Sequence, residues 1–195
     1  MIVKEVKEMT KKKVKETPSS YGIEEERYEI IEGVRYEMQA APAIRHQQLV
    51  THLWMSLEKT CAPEGLVLTS PIDVQFDKDN ECQPDIIYIA NENLDIVTEK
   101  KIIGAPDIIV EILSPSTSYN DKIRKKAVYE RFGVKEYWIV DPVHLFLDQF
   151  ILDNQKYILA QTYGSKDIIH SNLFSCIKID LDSIFSRLLV FENDM

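Results

Sequence analysis

The stretch Gly104–Tyr129, GAPDIIVEILSPSTSYNDKIRKKAVY, most constrains what this chain can fold into. Its apolar run, Ile108–Leu113, lies between Pro106 and Pro115 and has the length of a strand rather than a helix. Glu111 stands inside that run. An unpaired ionised carboxylate in apolar surroundings is costly or takes up a proton, so Glu111 is expected to face a metal, a cation or water.

The cation is close at hand. After the Ser-Pro-Ser-Thr turn, the segment from Asn120 to Phe132 has helix chemistry, with Ser118 or Asn120 to cap its start and Gly133 to end it. At about 100° per residue, Asp121, Lys125, Val128, Tyr129 and Phe132 share one face. A right-handed crossover from the Glu111 strand through this helix into Tyr137–Val140 would lay that face on the same sheet and let Lys125 meet Glu111.

Upstream, Arg27–Met38 reads as a hairpin turning at Glu32-Gly33, and Ile44–Lys59 as a helix with His46, Leu49, Val50, Leu53 and Leu57 on its buried face. A histidine on an apolar stripe is more often a hydrogen-bonded core residue than a ligand or base. Three apolar segments follow: Leu66–Leu68, the alternating Ile72–Phe76, and the continuous Asp85–Ala90, where Gln83-Pro84 fixes an extended entry for Asp85. Asn91–Lys101 is a polar connection with a short helix. Beyond Asp141-Pro142, Leu145–Leu152 and Tyr157–Tyr163 form a meander, followed by short apolar pieces and a helical segment at Asp182–Leu189.

Composition narrows the partners. The 195 residues carry a formal charge of −9; the first 17 hold six Lys and three Glu, a net +3, which leaves −12 for the rest. Residues 1–20 are therefore expected to be a charged extension and 21–195 a single domain. A polyanion partner needs a local basic patch, and Lys122, Arg124, Lys125, Lys126, Arg131 and Lys135 supply one, with Lys122 and Lys126 the phosphate-backbone candidates. Cys61, Cys82 and Cys176 are too far apart for a zinc-ligand pair, and their odd number points to reduced thiols in a cytoplasmic protein. No apolar run is long enough for a membrane span, so no membrane partner is expected.

Two carboxylates on neighbouring core strands, Asp85 and Glu111, make a hard oxygen site suited to Mg2+ or Mn2+, with the Ile112 carbonyl as a further ligand. Lys125 would orient the attacking water or offset charge on phosphorus, which is phosphodiester hydrolysis. Asp121 and Tyr129 are read as supports: Asp121 suits the positive helix start and pairs i,i+4 with Lys125, while Tyr129 is a core residue with a hydroxyl partner. His46 is likewise placed in support. The competing readings are a structural Glu111–Lys125 ion pair, in a catalytically silent module that binds protein or DNA, and a two-carboxylate glycosidase, which would leave Lys125 without a role.

Gln83-Pro84-Asp85-Ile86, Gly104-Ala105-Pro106-Asp107, Glu111-Ile112-Leu113-Ser114-Pro115-Ser116-Thr117, Asp121, Lys125, Tyr129 and Glu136-Tyr137-Trp138-Ile139-Val140-Asp141-Pro142 together resemble the Uma-two family. That family is grouped with the restriction-endonuclease-like PD-(D/E)XK nucleases. The resemblance runs from about Tyr28 to Phe185 and leaves out the N-terminal extension. It implies an α/β restriction-endonuclease-like core, αβββαβ, a mixed sheet flanked by helices with additional C-terminal antiparallel strands. It also implies a metal-dependent DNA endonuclease in which Asp85 and Glu111 take the places of the two motif acids. Leu113 departs from the superfamily's usual lysine, and the family pattern places a lysine on the next helix, where this chain has Lys125. For the N-terminal acid sometimes present in such sites, Glu37 is preferred to Glu29 and Glu32. Cutting both strands of a duplex by such a domain implies two sites, hence a homodimer through the meander or the N-terminal segment.

Overall fold

The structure, a computed structural model, describes residues 27–38, 43–115 and 117–190; the N-terminal extension expected over residues 1–20 lies outside these. Strands β1 (Tyr28–Ile31) and β2 (Val34–Glu37) form the expected hairpin, and Glu32 and Gly33 make its tight turn with φ of 53° and 74°. Helix α1 (Ile44–Cys61) buries His46, Leu49, Val50, Leu53 and Leu57, the face read from the sequence, and adds Cys61. Then come β3 (Gly65–Thr69), the hairpin β4 (Val74–Asp77) and β5 (Asn80–Cys82), and β6 (Ile86–Ala90). A 3-10 turn at Asn91–Ile96 and β7 (Ile102–Ile103) lead to β8 (Ile108–Ile112).

The helix after β8 has two parts: a π-helical segment, Asn120–Lys125, runs into α2 (Lys126–Phe132). Gly133 ends α2 in the left-handed region at φ 86°, the conformation for which glycine carries no Cβ penalty. Neither Ser118 nor Asn120 caps the start through its side chain; the preceding turn is tied by Ser114 and Thr117 instead. Strand β9 (Glu136–Asp141) returns to the sheet, followed by the hairpin β10 (Phe146–Asp153) and β11 (Lys156–Gly164), then β12 (Ile168–His170), β13 (Lys178–Asp180) and the short α3 (Asp182–Phe185).

The central sheet has the order β11-β10-β9-β8-β6-β3. Strands β3, β6 and β8 are antiparallel neighbours, and the crossover through α2 makes β9 parallel to β8. With α1 ahead of them this is the αβββαβ order expected, and the C-terminal meander extends the sheet as β10 and β11. A register shift between Gln149 and Phe150 leaves Ala160 without an opposite residue, so the edge strand β11 carries a bulge.

Strand alternation decides what each face of the sheet buries. Ile86, Tyr88, Val110, Ile112 and Trp138 face α1, β12–β13 and α3, whereas Ile87, Ile89, Ile109, Leu113 and Tyr137 face α2. On that second side lies a separate five-stranded sheet, β2-β1-β5-β4-β7, which periodicity alone did not separate from the main one. The thiol expectation is corrected: Cys61 and Cys176 form a disulfide that joins the end of α1 to the C-terminal region, and only Cys82 is free, and buried. Both partners were judged by spacing along the chain, which says nothing of two residues brought together by the fold.

Candidate active site

Sheet register brings Asp85 and Glu111 to the same end of the β6–β8 pair. Ile86 lies opposite Val110 and Ile87 opposite Ile109, with Asp85 just ahead of β6 and Glu111 next after Val110 on β8. Asp85 is fixed by two donors to one oxygen: the Ile112 N–H reaches Oδ2 at 2.8 Å, and His46 Nε2 lies 3.1 Å from the same atom. His46 thus reaches Asp85 from α1. Burial disfavours its charged form, but the Asp85 contact, the Ile112 carbonyl and Asp121 outweigh that and raise its pKa.

Glu111 is 3% exposed. Its Oε1 accepts the Tyr129 hydroxyl at 2.8 Å and the Lys125 ammonium at 3.1 Å. Lys125 also lies 2.8 Å from Glu29 and 3.3 Å from Asp121. Burial works against this ammonium, yet Glu111, Glu29 and Asp121 hold its pKa well above that of a free lysine. The carboxylates respond in the opposite sense: burial raises Glu111 and Asp121, Lys125 opposes the rise, and their mutual repulsion adds to it.

The structure therefore brings Asp85, Glu111, Lys125, Asp121, Tyr129 and His46 together, but Glu37 stands apart. Its side chain is 60% exposed and pairs with Arg35. Glu29, ranked behind Glu37 in the sequence, is the acid that enters. The missed signal is the period of β1: Ile31 is buried, so Glu29, two residues earlier, lies on the same face. Leu113 is buried in the core facing α2 and Lys125 comes from the helix instead. Lys122 is exposed, whereas Lys126 is half-buried with its ammonium 3.4 Å from the centre of the Phe150 ring, so neither joins the carboxylates.

Among the described residues no three His, Cys, Asp or Glu side chains already stand in a metal-ligating arrangement. The donor set nevertheless fits a hard divalent ion. Three buried carboxylates share one ammonium, which lies 3.3 Å from Asp121 Oδ1 without forming a hydrogen bond to it. The contacts of Asp85 and Glu111 engage Oδ2 and Oε1, so Oδ1 and Oε2 are the oxygens such an ion would take.

Two other buried carboxylates are satisfied locally. Asp107 binds the Ala90 N–H and Lys135; Glu136 accepts Trp138, Gln149 and Ser171 donors and pairs with no cation among the described residues. They sit at the opposite end of β8 and β9, away from Glu111.

Comparison with solved structures places the fold. A protein from Anabaena variabilis ATCC 29413, described as a putative nuclease belonging to DUF820, superposes with a TM-score of 0.70 at 19% identity, covering 85% of this chain and 93% of its own. The type IIG restriction endonuclease BpuSI aligns over 64% of this chain and 14% of its own, at 14% identity and a TM-score of 0.37, too slight a likeness to argue from. No curated protein matches the sequence. Residues 20–182 match the Uma2 family, described as "Putative restriction endonuclease". With most of its length inside that match and the αβββαβ core in place, the chain belongs to the Uma2 family of restriction-endonuclease-like proteins.

Proposed function

We propose that this protein hydrolyses phosphodiester bonds in DNA with Mg2+ or Mn2+ held by Asp85, Glu111 and the main-chain carbonyl of Ile112. The observation that carries the reading is that Ile112, next to Glu111 on β8, binds the Asp85 carboxylate while a buried ammonium contacts Glu111. The restriction-endonuclease-like fold and the description of the Anabaena protein support a nuclease of this class. In this reading residues 21–195 are one catalytic domain.

The ion would supply Lewis acidity, polarising a phosphate oxygen and lowering the pKa of a bound water. The protein's own residues do the positioning. His46 and the Ile112 N–H hold Asp85 by Oδ2, while Tyr129 fixes Glu111 by Oε1. Lys125, released in part from Glu111, orients the attacking water and offsets charge as the water-to-phosphorus bond forms and the ester bond to the leaving oxygen breaks. Raised by burial, Glu111 must lose its proton to ligate, so affinity for the ion should increase with pH.

Calorimetry with Mn2+ tests this without a substrate. The wild type should bind and both Asp85→Asn and Glu111→Gln should not, with unchanged circular dichroism. No binding by the wild type, alone or with a short DNA duplex, would favour the silent module, a reading that draws on the structural ion pairing of Lys125 with three carboxylates.

A further inference from the structure

Next to the carboxylate site the helix presents a second, aromatic and basic surface. Tyr119 is 63% exposed and Ile123 55% exposed. Between Tyr119 and Tyr36 of β2 lies the guanidinium of Arg124, 5.0 Å from the first ring centre and 4.8 Å from the second, and held by Asn120 at 2.5 Å. One face of Tyr119 is thus turned to a cation braced from behind, and the ring remains open to solvent. Tyr36 lies opposite Glu29 in the hairpin, and Arg124 immediately precedes Lys125, so both edges of this surface adjoin residues of the site.

An exposed tyrosine backed by an arginine does little for stability. Its chemistry suits a flat π-system beside a negative charge, because any base can stack on the ring while the guanidinium edge takes a phosphate. Lys122, exposed on the same helix, adds positive charge to a protein that is otherwise acidic. Bases paired within a duplex have no free face to offer; an unpaired base does.

We infer that Tyr119, backed by Arg124 and Tyr36, is a stacking platform for an unpaired base, and that the preferred ligand is single-stranded DNA or an unpaired segment in a duplex. This rests on the nuclease reading for its biological sense but not for its test. Binding of a labelled short single strand and of the same sequence as a duplex is measured with the full chain in a metal chelator, so that cleavage plays no part. The single strand should bind more tightly. Tyr119→Ala should weaken it by about tenfold while leaving the duplex and the salt dependence unchanged, and Tyr119→Phe should retain it. Arg124→Gln should weaken binding and reduce the salt slope by about one. Equal wild-type affinity for both forms, no binding of the single strand, or an unaffected Tyr119→Ala would each overturn the platform. Metal calorimetry reports on Asp85 and Glu111 separately, so a blank there with a positive result here would remove the nuclease reading and leave the platform standing.

Discussion

Lys125 is the residue on which the buried charges depend. A single ammonium answers Glu29, Glu111 and Asp121, all of them buried. Removing one partner from a buried ion network leaves uncompensated charge, so Lys125→Met should cost about 3–5 kcal/mol in urea unfolding at neutral pH. The pH dependence has a definite sign. Without the ammonium the pKa values of Glu111 and Asp121 rise further, the folded state holds more protons than the unfolded one, and stability falls as pH rises above the ordinary carboxylate range. The variant should therefore regain stability between pH 8 and pH 5, as read from paired urea curves. Wild-type Lys125 works the other way. With its folded pKa raised, its contribution is complete below the pKa of a free lysine and is lost only as pH passes the higher folded value. Tyr129→Phe is milder: it withdraws one donor from Glu111 Oε1, and about 1–3 kcal/mol is expected in the same measurement.

At the scale of the element, the π-helical segment explains how the site residues share one line. In a plain α-helix Asp121, Lys125 and Tyr129 would drift round by about 80° over the two four-residue steps. A π turn, with about 4.4 residues, drifts the opposite way over its four-residue step and nearly cancels the α-helical drift of the next. All three side chains are buried on the sheet-facing side. The face was legible in the sequence because the four-residue spacing survives either geometry; the π turn was not, since it depends on what the helix packs against. Asp85 and Glu111 were legible as charges at the start of and inside apolar runs, and Lys125 because the helical face turned it toward the sheet. Glu29 was not, because in YEII a glutamate in a short hairpin resembles any solvent-facing strand residue until the pairing sets which face turns inward. The end of the same helix offers a clean test. At Gly133 an added Cβ would meet no atom within 4 Å, so Gly133→Ala isolates backbone strain at positive φ. About 1–2 kcal/mol of destabilisation is expected by urea denaturation, with metal binding unchanged.

For the molecule as a whole, the link between Cys61 and Cys176 closes a loop across a sequence separation of 115 residues. On chain-entropy grounds a cross-link over roughly a hundred residues contributes about 4–5 kcal/mol by restricting the unfolded chain. Cys61→Ala with Cys176→Ala should lower the urea midpoint accordingly. Without reductant, a thiol assay on unfolded protein should find one free thiol, that of Cys82, and three after reduction. Individual strands and helices followed from local patterns and the αβββαβ order from the family resemblance; the disulfide and the second sheet, which depend on distant residues meeting, followed from neither.

The bulge at Ala160 has a consequence for the protein in a crowded solution. Strand β11 is nine residues long and ends the sheet, and it exposes Ile158 and Leu159 at 50% and 53%. A flat edge of that length would be a template for another chain's strand and for fibril growth. The extra residue bends the strand and breaks the regular row of N–H and C=O groups midway, so a second edge finds only short runs to match. Deleting Ala160 would mend the ladder and remove that guard: the domain should still fold, and static light scattering should then record association that the wild type resists.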